Sequence, residues 1–288
     1  DGGGINLFSP HTEKFTHYSS TWGDKVAFIS GFTPGKLLIS LFSKGVFVFN
    51  PATGEKQPFT IIDKETTTRL CNRGKSVNLY QNTPNTVLFL GDHIYQYHLK
   101  EKKFSTITEE EGKDIVGTLV PFDHQENLTY INDIKHIYEL DDQTSRLKTV
   151  FECYTDTVIS SVSHDEQGHF WIGSNFGLIH YDPVLKSRTL VPTNLFTEIN
   201  MVLCDQKGKV WIGVDNMLFA YFIKEQKFVL FGESNGAIQN EYLPNARLVN
   251  EQGDAYIGGV KGMLRIDGQL LLNTSEMPEL QLLDITIN

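Results

Sequence analysis

Phe170-Trp171-Ile172-Gly173-Ser174-Asn175-Phe176-Gly177-Leu178-Ile179-His180-Tyr181-Asp182-Pro183 decides how this chain is read. The stretch returns as Val210-Trp211-Ile212-Gly213 ahead of Leu218-Phe219-Ala220-Tyr221. It returns again as Ala255-Tyr256-Ile257-Gly258 ahead of Gly262-Met263-Leu264-Arg265-Ile266-Asp267. Before each copy stand an acidic or amide residue and a glycine at fixed offset: Asp165 and Gly168, Asp205 and Gly208, Asn250 and Gly253. That spacing is turn chemistry, in which the side-chain oxygen bonds nearby backbone and glycine takes the positive φ. Trp171, Trp211 and the tyrosines fit a pleated surface and are large enough to fill the space between facing sheets. Gly173, Gly213 and Gly258 end the second strand, where the backbone turns or meets a neighbour closely.

Working outward, the residue that starts the third strand of each unit falls at Gly4, Gly45, His93, His136, Gly177, Met217 and Gly262, spaced 40 to 48 residues apart. Four residues further on lie Phe8, Phe49, Tyr97, Leu140, Tyr181, Tyr221 and Ile266. Units of ~40–45 residues with four short strands are the signature of a β-propeller. The fold class is therefore all-β, with four-stranded antiparallel blades over residues 1–272. Seven blades are favoured, the first incomplete because residues 1–20 supply only its outer strands. Six is the alternative, with Lys14–Tyr18 completing the last blade. The units at 76–107 and 115–151 lack the Trp-Ile-Gly core and are assigned on spacing alone. Glu109–Asp114 is the one stretch that reads as a helical turn. Residues 273–288 read as a linker and one strand of a following domain, and the chain is expected to be a piece of something longer.

A formal charge of −10 disfavours a phosphate-binding surface and so a nucleic-acid partner. No run approaches the ~18 apolar residues of a membrane helix. Cys71, Cys153 and Cys204 are too scattered for a zinc site or a disulfide framework. Among the histidines, His93 and His98, and His164 and His169, are each five apart, which on a strand sends the two side chains to opposite faces. No metal site and no cofactor is expected. No nucleophile elbow occurs, and Gly31-Phe32-Thr33-Pro34-Gly35-Lys36 lacks the spacing and the hydroxyl of a phosphate loop.

The pattern at 165–183 resembles the two-component regulator propeller repeat of the periplasmic sensor regions of Bacteroides-type hybrid histidine kinases. Asn235-Gly236-Ala237-Ile238-Gln239-Asn240-Glu241-Tyr242 followed by 253–259 resembles the last repeat of that family, and 278–288 the start of its Ig-like domain. The resemblance implies the second of two propellers, held at the periplasmic face of the inner membrane by flanking segments. It implies an upstream propeller and a downstream Ig-like domain as partners; whether the chain also forms a homodimer is left open. It also implies a non-catalytic module that detects polysaccharide-derived oligosaccharides and signals to a kinase elsewhere in the protein.

Residue by residue, the second-to-third and fourth-to-first connections offer polar and aromatic groups suited to sugar hydroxyls. Trp22, Arg69, Arg73, Asn175, Asp215, Asn240, Glu241 and Lys261 are the candidate ligand contacts. Two other classes stay open. One is a propeller lyase, which needs a His and a carboxylate near the axis; the repeat register places no such pair there. The other is a structural or dimerisation propeller with no ligand of its own.

Overall fold

The computed structural model describes residues 4–18, 25–42, 44–59, 78–90, 94–107, 119–125 and 127–268. It opens on a hairpin of β1 (Ile5–Ser9) and β2 (Lys14–Tyr18). Five four-stranded antiparallel sheets follow in chain order. The first holds β3 (Val26–Thr33), β4 (Lys36–Leu41), β5 (Gly45–Phe49) and β6 (Lys56–Pro58). The second holds β7 (Asn78–Thr83), β8 (Thr86–Leu90), β9 (Ile94–His98) and β10 (Lys103–Ile107). The third holds β11 (Val120–Gln125), β12 (Leu128–Asn132), β13 (His136–Asp141) and β14 (Arg146–Glu152). The fourth holds β15 (Ile159–His164), β16 (Phe170–Ser174), β17 (Gly177–Asp182) and β18 (Ser187–Leu190). The fifth holds β19 (Met201–Cys204), β20 (Lys209–Val214), β21 (Met217–Phe222) and β22 (Lys227–Phe231). A three-stranded sheet of β23 (Tyr242–Val249), β24 (Ala255–Gly259) and β25 (Gly262–Ile266) comes last.

Each sheet runs outward from its first strand, and the first strands β3, β7, β11, β15, β19 and β23 stand side by side in turn. This is a β-propeller of six blades. The hairpin β1–β2 is a seventh sector reduced to two strands. Its Tyr18 ring meets Phe49 of β5 at 5.0 Å and its Phe8 ring meets Tyr256 of β24 at 6.3 Å, so it lies between the first and last blades. Six is the smaller of the two expected numbers, but the expected closure through Lys14–Tyr18 is not how the ring is built. β2 pairs with β1, and β25 keeps only β24 as partner among the described strands. The units read from spacing alone are real blades, β7–β10 and β11–β14. Glu109–Asp114, Cys71 and residues 273–288 lie outside the described residues.

The tryptophans act as wedges between blades. Trp171 is buried with Val202, Val210, Ile212 and Tyr221 of the next blade, and Trp211 with Tyr242, Ala255, Ile257 and Ile266 of the one after. A large ring buried in this way is worth ~3–5 kcal/mol against alanine. Gly173 shows why the second strand ends in glycine: a Cβ there would stand 2.7 Å from Ile199 Cγ2 and 2.8 Å from Val202 Cγ2 of the following blade. The turn reading also holds. Asp165 Oδ1 accepts from the backbone N–H of Gln167 at 3.0 Å and His169 at 2.9 Å, and Asp205 Oδ1 from Lys207 at 2.9 Å and Lys209 at 3.0 Å. Gly168 completes its turn at φ 85°.

Candidate functional site

The first strands are stitched to one another by serine hydroxyls. Ser161 Oγ and Ser163 Oγ of β15 accept from the backbone N–H of Val202 and Cys204 in β19, at 3.1 and 2.9 Å. Ser30 Oγ of β3 accepts from Gln81 N of β7 at 2.9 Å. Asn78 Nδ2 of β7 donates to Leu119 O at 2.7 Å, just before β11. Buried backbone groups at the axis therefore find partners without a continuous sheet.

At one end of these strands lies a cavity of about 590 Å³, within the ~300–1,000 Å³ range of small-molecule sites. Its walls come from β3, β11, β15, β19 and β23, and its rim from first-to-second connections through Glu166, Gln206, Lys207 and Glu251. On one wall His164 Nδ1, at the end of β15, is 3.1 Å from Asp123 Oδ2 of β11. The imidazole is buried against Tyr130, whose ring stacks on it at 5.3 Å, and against Phe170. The phenol of Tyr130 is pushed up to about 12 by burial, then by the charges of Glu139 and Asp123. Tyr80 is pushed up to about 12 as well, by burial and then by Asp123 and Asp142. Both phenols therefore stay neutral hydrogen-bonding groups.

Arg247 of β23 reaches across β19 to β15, the strand that carries His164, where its Nη2 donates to Val162 O. Its Nη1 is buried with no acceptor among the described residues. Burial lowers the guanidinium to about 10, against the raising influence of Cys204 and Asp123, so it remains a cation at neutral pH. Gln206 Nε2 donates to His164 O at 2.9 Å and so fixes the rim beside the histidine. Cys204 also lines the cavity, but burial raises its thiol and keeps it protonated and inert.

The positions expected to touch ligand sit elsewhere. Asn175, Asp215 and Lys261 occupy second-to-third connections, at the opposite ends of the blades from the cavity rim. Asn175 is taken up by its own blade, with Oδ1 accepting from Val158 N at 2.8 Å and Nδ2 donating to Asp156 O at 3.0 Å. Asn240 is buried and staples the last turn, with Oδ1 accepting from Lys261 N at 2.9 Å and Nδ2 donating to Gly262 O at 3.3 Å. Lys261 Nζ donates to Gln239 O at 3.0 Å. Asn240, Glu241 and Lys261 thus come together, while Asn175 and Asp215 belong to other blades. Asp215 and Glu241 are exposed, Asp215 at φ 49° in its turn. Trp22, Arg69 and Arg73 lie outside the described residues.

The expectation that no His and carboxylate meet at the axis is corrected by His164 and Asp123. They are 41 positions apart and come from two blades, Asp123 in one whose repeat motif is worn away. The signal was available: Asp123 and His164 stand at matching places near the ends of successive first strands.

No protein-family model matches the sequence, and no curated protein matches it. Solved structures do. The extracellular domain of BT4673 from B. thetaiotaomicron, described as a one-component system, superposes with a TM-score of 0.66 at 14% identity, over 88% of this chain and 34% of that one. The extracellular domain of BT3049 from the same organism, described as a hybrid two-component system, gives 0.62 at 14% identity, over 84% and 33%. PorZ, a surface component of the type-IX secretion system of Porphyromonas gingivalis, gives 0.61 at 15% identity, over 84% and 39%. The chain spans about a third of the length of the two extracellular domains. At these identities the likeness is one of fold.

Proposed function

We propose that this chain is an extracytoplasmic ligand-sensing module of a two-component type of signalling protein, and that it takes polysaccharide-derived oligosaccharides at the axial cavity. The observation that carries this reading is the cavity itself. It offers a cationic donor in Arg247, an imidazole paired with a carboxylate, and rim amides and charges, all on a rigid frame of first strands. Sugar hydroxyls are both donors and acceptors and need such mixed partners. Fold likeness to the extracellular domains of BT4673 and BT3049 supports the sensing role.

On this reading the module works within a longer protein at the periplasmic face of the inner membrane. An upstream segment supplies inner strands beside β1, 273–288 leads into and begins an Ig-like domain, and kinase activity resides in another part. Ligand binding would bias the packing of the propeller against its neighbours, and a homodimer would carry that bias across the membrane. Calorimetric titration of the complete sensor region with neutral and uronic-acid oligosaccharides tests it. At least one should bind, and Arg247→Gln should weaken it by ~10-fold or more, since a hydrogen bond to a charged group is worth ~1.5–3 kcal/mol. A panel without binding would end the reading.

The pair His164–Asp123 favours a second reading, a lyase acting at the same cavity, with the imidazole as general base and Asp123 orienting it. Turnover of a bound polysaccharide that is lost in His164→Ala would put this reading in place of the first.

A further inference from the structure

A second cluster of titratable groups lies away from the axis, on the β15–β18 blade. β16 pairs with β17 so that Trp171 faces His180 and Phe170 faces Tyr181. Side chains alternate along a strand, so His169, Trp171, His180 and Asp182 share one face. His180 Nε2 is 3.1 Å from His169 Nδ1, and that same nitrogen of His169 is 3.8 Å from Asp165 Oδ2. Beyond them opens a cavity of about 510 Å³ between this blade and the next, bordered by Gln167, Tyr221 and Gln226.

Neighbouring blades show what the fold ordinarily places here. In the next blade Lys209 Nζ bonds Asp205 Oδ2 at 3.0 Å, and in the last Arg265 Nη2 bonds Asp254 Oδ2 at 2.8 Å. One cation neutralises one carboxylate. The β15–β18 blade instead sets two imidazoles nitrogen to nitrogen beside the carboxylate. We propose that His169 Nδ1, His180 Nε2 and Asp165 Oδ2 form a binding site for one divalent transition-metal ion of the zinc type, with the fourth position open to the cavity.

The geometry fits. Bonds of ~2.0–2.1 Å in a tetrahedron separate ligand atoms by about 3.3 Å, close to the 3.1 and 3.8 Å observed. All three donors lie within 4.8 Å of one another. Asp182 Oδ2, 3.6 Å from His169 Nε2, stands on the side where the outer carboxylate of a histidine ligand belongs, just beyond hydrogen-bond distance in the metal-free site; closing that gap would place the proton on Nε2 and leave Nδ1 for the metal. His180 is set by its ring contact with Trp171 at 4.5 Å. Asp165 Oδ2 accepts from Trp171 Nε1 at 2.8 Å, which orients it and leaves a lone pair. In the metal-free site one proton lies between His180 Nε2 and His169 Nδ1, carried by either ring; metal binding moves it to the other nitrogen of that ring or to solvent.

The test is calorimetric titration of the metal-free protein with zinc chloride. Uptake of one Zn²⁺ with micromolar or tighter affinity is expected. His169→Ala and His180→Phe should each weaken it by at least ~100-fold, and Asp182→Asn by ~10–100-fold, with His17→Ala without effect. Melting curves in chelator establish that the variants are folded. Zinc protection of His169 and His180 against chemical acylation, read by mass spectrometry on the wild-type protein, decides the matter should a variant fail to fold. No stoichiometric uptake, uptake indifferent to both histidine substitutions, or no protection would overturn the proposal.

Discussion

Trp171→Phe and Trp211→Phe are the same substitution at equivalent places in consecutive blades, yet they should cost different amounts. Trp171 Nε1 donates to Asp165 Oδ2 at 2.8 Å. Trp211 Nε1 has no partner among the described residues, because Asp205 Oδ2 is held by Lys209 Nζ at 3.0 Å. Both rings are buried, so the loss of volume is shared and costs ~1 kcal/mol at each site. Only at 171 does phenylalanine also remove a hydrogen bond to a buried carboxylate, worth ~1.5–3 kcal/mol. At 211 it removes an unsatisfied buried donor, which costs nothing further. The two variants should therefore differ by about 2 kcal/mol, or ~3 °C in melting temperature for a chain of this size. Chemical and thermal denaturation followed by circular dichroism measure it. Equal costs, or a larger cost at 211, would refute the assignment of Trp171 as an anchored wedge and Trp211 as a purely apolar one.

Two other outcomes follow from the same geometry. Gly173→Ala should destabilise by ~1–3 kcal/mol, because its Cβ would fall 2.7 Å from Ile199 Cγ2 in a packed seam; an unchanged denaturation midpoint would show the seam to be loose. The pKa of His180 is lowered by burial and then by His169, while Asp165 and Asp182 oppose the shift. The unfolded chain therefore binds more protons below its ordinary value of ~6.5, and stability should fall as pH drops from there through the folded pKa. In chelator, His180→Phe should show a shallower fall below about pH 6.5 than the wild-type protein, and an identical slope would count against the shift.

Much of the fold could be read from residues that do a local job. Asp165, Asp205 and Asn250 bond the backbone of their own turns, so the turn motif survives wherever the turn does. The third-strand starts read from spacing coincide with the first residues of β5, β13, β17, β21 and β25. The blade number was harder to read, because β1–β2 carries the outer half of a repeat with no strand on its axis side among the described residues, and spacing cannot tell a sector from a blade. The site was less legible still. Asn175 and Asn240 looked like ligand groups because they are polar and lie in loops, yet their amides hold the backbone of neighbouring turns. His164 with Asp123, and His169 with His180, are brought together by first-strand packing and by cross-strand register, relations that intervals along one strand do not express.

The location of a bound ligand tests the account most directly. If the proposed function holds, a crystal of the protein soaked with an oligosaccharide found to bind in calorimetry should show it in the axial cavity, in contact with Arg247 and beside His164 and Gln206. Density instead against Asn175, Asp215 and Lys261, at the opposite ends of the blades, would contradict the proposal that ligand is taken at the axis.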